Sequence, residues 1–123
     1  MTAARDAQRA GAPRVGVDLV HIPRVRALME REGALTRMLT PEEIGTGDPA
    51  HIAGVIAAKE AFCKALGITP PRWREIEVHQ SPEGRPTLTL SPDLESPVQS
   101  CDLSIAHDGE YAVACVVVFV QET

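Results

Sequence analysis

Residues 57–67, AAKEAFCKALG, place a carboxylate and two ammonium groups inside a segment that is otherwise apolar and helical in period. Counting from Ile52, the residues Val55, Ile56, Phe62, Cys63 and Leu66 recur on one helix face, and Lys59 falls on that stripe where an apolar side chain is expected. Glu60 and Lys64 lie one turn apart along its border. Asp48 is placed to cap this helix, Pro49 suits its first turn and Gly67 supplies a stop. A long central helix, with the other elements packed on it, is therefore the first expectation.

Upstream, residues 14–20 alternate Val15, Val17 and Leu19 with Gly16, Asp18 and Val20, the two-residue period of a strand. Asp18 is the anomaly, because an unpaired charge is costly to bury. For an isolated strand aspartate, a solvent-exposed face is the expected resolution. Pro23 opens a shorter helix to about Glu32, with Ile22, Val25, Leu28 and Met29 inward and Gly33 ending it. Arg24, Arg26 and Arg31 on its other faces, with Arg37 beyond, read on composition as a solvated surface paired with Glu30 and Glu32. Thr40, Pro41, Glu42 and Glu43 form a capping box, and a loop from Gly45 leads to Asp48.

Downstream the period changes to two. Residues 75–80 and 85–90 alternate around the turn-rich stretch 81–84, which predicts a hairpin. A loop over 91–100 leads to Cys101, Leu103 and Ile105 alternating with Asp102, Ser104 and Ala106. His107, Asp108, Gly109 and Glu110 then connect to residues 111–120, which are apolar on both faces and belong at the centre of a sheet. The order of strand, helices and four strands predicts an α+β fold: a mainly antiparallel sheet with the long central helix and the shorter N-terminal helix on one face. Residues 1–13 read as a flexible tail and 14–123 as a single domain.

With one Trp, one Tyr and two Phe, the core must be aliphatic. A net charge of −5 argues against a general nucleic-acid binder, which needs a basic face. Cys63, Cys101 and Cys115 are odd in number, sit in apolar surroundings and lack zinc-like spacing, so they read as buried reduced thiols in a cytoplasmic protein. No stretch has the length and apolarity of a membrane span, and residues 1–13 lack the apolar core of a signal peptide.

Asp18, Glu60 with Lys59 and Lys64, and His107 remain as the polar anomalies. As an ordinary helical ion pair, Glu60 and Lys64 are worth only ~0.2–0.5 kcal/mol. Taken together, two carboxylates from separate elements with lysines and a histidine suit a site that holds Mg²⁺ against a pyrophosphate.

Four stretches carry a resemblance: VGVDLVHIPRV (15–25), AAKEAFCKALG (57–67), PEGRPTLTL (82–90) and LSIAHDGEYAVACVV (103–117). In this order and spacing the chain resembles the holo-acyl carrier protein synthases, the small class of 4′-phosphopantetheinyl transferases. The resemblance implies transfer of the phosphopantetheine arm of coenzyme A to a serine of an acyl carrier protein, releasing adenosine 3′,5′-bisphosphate. It implies that Asp18 and Glu60 are Mg²⁺ ligands and that Lys64 lies beside the pyrophosphate. Asp18, Glu60 and Lys64 are then the catalytic group, with Asp18 or Glu60 accepting the serine proton. His107 and the turn of Gly84, Arg85 and Pro86 match positions near the nucleotide of coenzyme A, with Lys59 a further candidate there. Arg24, with Arg26 beside it, matches a helix that faces the acidic carrier, which replaces the solvated-surface reading of that helix. A homotrimer with its sites between subunits is also implied.

Three departures stand out. Val55 occupies a position where the family usually has arginine, Asp102 replaces a frequent histidine, and the connection over 40–48 is shorter than expected. A homologue that binds coenzyme A or a carrier protein without turnover is the alternative reading, and a small Mg²⁺-dependent phosphohydrolase is a third.

Overall fold

The computed structural model describes residues 11–121. The chain runs β1 (Pro13–His21), α1 (Ile22–Met29), α2 (Pro41–Ile44), α3 (Pro49–Leu66), β2 (Ile76–Gln80), β3 (Pro86–Leu90), α4 (Pro92–Glu95), β4 (Val98–Asp108) and β5 (Tyr111–Val120). The expected tail lies mostly outside the described residues, and β1 already begins at Pro13, within it.

α3 forms as its signals require. Asp48 Oδ1 accepts a hydrogen bond from the Ala50 amide at 3.3 Å, Pro49 takes the first turn, and Gly67 ends the helix with φ of 70°. The helix is buried on nearly all sides between Ile52 and Cys63, which is wider than the stripe the periodicity shows. Only its border is open, at Glu60 and Lys64.

β1, β5 and β4 make a three-stranded antiparallel sheet with β5 in the middle, the place its two apolar faces predict. β2 and β3 form a separate two-stranded sheet, and the short helix α4 that follows has Pro92 in its first turn and buries Leu94. β4 and β5 meet through a two-residue loop, Gly109 and Glu110, with Gly109 at φ 59° in the first position, as a II′ hairpin needs.

The inner face of the three-stranded sheet is lined by Gly16, Asp18, Ala112, Ala114, Val116 and Val118, all buried against α3. The small residues are what allow this: a Cβ at Gly16 would stand 1.8 Å from the carbonyl oxygen of Ala61. This corrects the expected faces of β1. Asp18 is only 8% exposed, whereas Val15, Val17 and Leu19 on the opposite face are 61%, 54% and 63% exposed.

The three cysteines are free, but only Cys63 is buried; Cys101 is half-buried and Cys115 is exposed on the outer sheet face. Among the described residues no helix is long and apolar enough to cross a membrane.

Candidate active site

Asp18 on β1 and Glu60 and Lys64 on α3 come together where helix and strand touch at Gly16. Lys64 Nζ donates to Asp18 Oδ1 at 3.0 Å and to the carbonyl of Val17 at 3.2 Å, so the lysine pairs with the strand rather than with Glu60. The other carboxylate oxygen, Asp18 Oδ2, is buried and has no hydrogen-bond partner. Glu60 stands beside it. Burial, then the adjacent Asp18 carboxylate and its negative charge, push the Glu60 carboxyl up to about 7, against the opposing pull of Lys64.

This arrangement fits a divalent cation. Two facing carboxylates, one with an orphaned buried oxygen and one that keeps its proton to neutral pH, are short of a positive charge that hard oxygen donors can share. Lys64 is more than half exposed, so its ammonium can also reach an anion in the adjoining open cavity of about 400 Å³, lined by Glu60, Lys64, Gly67, Ile68 and Thr69.

His107 lies elsewhere. It sits in β4 opposite Ala112, one residue short of the hairpin end, and lines a second cavity of about 510 Å³ with Gly84, Pro86, His51, Val55 and Val78. The two cavities share no lining residue. One chain therefore holds the expected metal and phosphate group on one side and the expected nucleotide group on another.

Arg85 departs from its neighbours in the turn. Gly84 and Pro86 line the His107 cavity, while Arg85 reaches β4 and donates to Asp102 Oδ2 at 2.6 Å. Arg85 holds the Asp102 carboxyl below its usual range. Val55 adds an uncharged wall to the His107 cavity where the resemblance leads one to expect a cation.

Lys59 lines neither cavity, away from the nucleotide position expected of it. Its side chain is fully buried, and its ammonium donates to Glu43 Oε1 at 2.7 Å, to the Met38 carbonyl at 2.7 Å and to the Trp73 carbonyl at 3.1 Å. Burial holds its pKa below the ordinary value, opposed by Glu43. Glu43 and His51 were missed as part of this region. The capping box is present, but it accounts for only one oxygen of Glu43 and gives no sign of where the second points.

Arg24 and Arg26 are exposed on α1, as are Arg31 and Arg37 beyond it. None forms an ion pair among the described residues, so the pairing with Glu30 and Glu32 does not occur.

Residues 14–116 match the model of the 4′-phosphopantetheinyl transferase superfamily. A holo-acyl-carrier-protein synthase of Wolinella succinogenes is 42% identical over 110 residues, covering 83% of this chain and 93% of that protein. One from Frankia alni is 39% identical over 110 residues, covering 84% and 93%. The crystal structure of the Helicobacter pylori enzyme in complex with coenzyme A superposes with a TM-score of 0.80 at 35% identity, covering 85% of this chain and 98% of that one. With the family model matching most of its length and these relatives covering more than four fifths of it, the chain belongs to the 4′-phosphopantetheinyl transferase superfamily.

Proposed function

We propose that this chain transfers the 4′-phosphopantetheine group of coenzyme A to a serine of an apo acyl carrier protein, giving the holo carrier and adenosine 3′,5′-bisphosphate. The observation that carries this reading is the Asp18–Glu60–Lys64 group, with its unpartnered carboxylate oxygen, in a chain of this superfamily. Asp18 and Glu60 would hold Mg²⁺, which when bound supplies Lewis-acid polarisation of the pyrophosphate. Lys64 places its ammonium against the phosphate that departs with the nucleotide. A carboxylate of the pair accepts the serine proton as the serine oxygen bonds to the pantetheine-bearing phosphorus and the bond to the adenosine bisphosphate breaks.

Two further parts of the reading rest on exposed surfaces. The unpaired arginines of α1 suit an acidic carrier despite the net charge of −5. The apolar outer face of the sheet, where Val17 opposes Cys115 and Leu19 opposes Val113, suits burial against copies of the same chain. Because the nucleotide group and the metal group occupy different cavities, a head-to-tail contact can bring one protomer's His107 cavity to the next protomer's Asp18 group. Such a contact closes into a ring, and a homotrimer with its sites between subunits is the assembly we assign. Three free thiols accord with a reducing cytoplasm.

The test is to incubate the protein with coenzyme A, Mg²⁺ and apo carriers from fatty-acid, polyketide and peptide synthesis, then weigh the carriers. A gain of one phosphopantetheine is expected on at least one. No gain on any carrier would sink the enzymatic reading. Asp18→Ala and Glu60→Ala should each lower transfer by at least about a hundredfold with the fold retained. Near-normal Mg²⁺-dependent activity in either variant would refute the ligand assignment.

A further inference from the structure

The Glu43–Lys59 pair takes no part in the transfer chemistry, yet it is the most deeply buried charged contact among the described residues, with side chains 1% and 0% exposed. All three donors of Lys59 are used, on Glu43, Met38 and Trp73. Glu43 Oε1 also accepts from the Thr40 amide at 2.9 Å, and its Oε2 accepts from the Val78 amide at 2.7 Å. The Glu43 carbonyl oxygen lies 2.9 Å from His51 Nε2. One pair thus joins the segment before α3, α3 itself, the turn at Trp73 and strand β2.

The link to β2 matters most. β2 and β3 form a two-stranded sheet with no hydrogen-bonded ladder to the other sheet, and an isolated hairpin is marginal in water. That hairpin carries Gly84 and Pro86, which face His107 across the larger cavity. Val78, whose amide the Glu43 carboxylate holds, and His51, beside the Glu43 backbone carbonyl, line the same cavity. A buried ion pair is weak grounds for a stabilising role, since apolar residues of like volume often serve a core as well or better. What apolar residues cannot do is fix a strand amide and a carbonyl in one register.

We propose that Glu43 and Lys59 are positioning residues: the pair holds the β2–β3 hairpin against α3 and so sets the width of the cavity that takes the nucleotide end of coenzyme A. This rests on the functional reading above. Lys59 and Glu60 are consecutive and point to different sides of α3, Lys59 into the core beneath this cavity and Glu60 toward Asp18. One rigid helix then spaces the nucleotide wall from the phosphate-holding group.

The experiment compares the wild-type chain, Glu43→Gln, and the double variant Glu43→Gln with Lys59→Met, which leaves no charge buried and keeps a carbonyl acceptor. Calorimetric titration with adenosine 3′,5′-bisphosphate and steady-state rates at saturating carrier are the readouts. The expected result is a rise of roughly tenfold in the nucleotide Kd and in the KM for coenzyme A, with kcat at saturating coenzyme A within about twofold of wild type. A merely structural pair would lower the melting temperature and the active fraction, hence kcat, and leave Kd and KM unchanged; that result overturns the proposal. Failure of both variants to fold would make the pair a stability element and overturn it too. If the wild-type chain neither binds the nucleotide nor transfers, the functional reading falls; if it does both and the variants match its Kd, only this inference falls.

Discussion

Glu60 keeps its proton to about pH 7, because burial and the neighbouring Asp18 carboxylate disfavour its charge. In the unfolded chain the same group titrates near the ordinary value of 4.5, so between about pH 4.5 and 7 the folded state binds the extra proton. Without metal, stability therefore falls as pH rises through that window, and Glu60→Gln should flatten the fall. A cation at this site must displace the proton. Mg²⁺ affinity is expected to rise with pH up to about 7 and level off above it, with binding at pH 5.5 roughly thirtyfold weaker than at pH 8 by calorimetry. Affinity that does not change with pH would show that Glu60 is not a ligand. At this scale the sequence marks Asp18, Lys59, Glu60 and Lys64 as misplaced charges, but not their partners. Periodicity locates a charge on a stripe; it cannot pair Lys59 with Glu43, sixteen residues away, or send Lys64 to Asp18 on another strand.

At the scale of elements, the contact between β1 and α3 sets the site, and Gly16 sets that contact. Gly16→Ala would drive a methyl group into the backbone of Ala61, with no flexible side chain there to move aside. We expect a loss of about 3 kcal/mol in denaturant unfolding together with weakened Mg²⁺ binding, since helix and strand must separate. A wild-type midpoint in the alanine variant would contradict the close approach. α1 offers a separate prediction: Arg24→Glu with Arg26→Glu should raise the KM for the carrier about tenfold at low salt and less at high salt, with the KM for coenzyme A unmoved. An unchanged carrier KM would remove α1 as the docking face. Helix signals were legible because caps are local: Asp48, Thr40 and Gly67 act within one turn. The face of β1 was not, because an alternating strand with apolar residues on one side and Gly-x-Asp on the other does not say which side the helix covers. The glycine was the clue, since a residue without a side chain marks a close approach as readily as a turn.

For the whole molecule, the proposed assembly rests on the expected site residues being divided between two cavities. Val15, Val17 and Leu19 form an apolar row that a lone chain would leave in water. Val17→Asp should shift the protein to monomer in sedimentation and remove transfer together with it; a monomer that remains active would refute the shared site. Mixing offers a stricter test. Asp18→Ala and His107→Ala each damage one half of the site, and separately each should be nearly inactive. If the halves come from adjacent protomers, co-refolded or co-expressed mixtures contain junctions where an intact Asp18 group meets an intact His107 cavity. In a randomly mixed ring with equal inputs, that combination occurs at about one junction in four, so about a quarter of the wild-type rate should return. If each chain uses its own Asp18 and its own His107, every site in every mixed ring carries one lesion and nothing returns. The ratio of recovered to wild-type activity therefore separates a site built between subunits from one folded within a single chain, whatever the carrier used to read it.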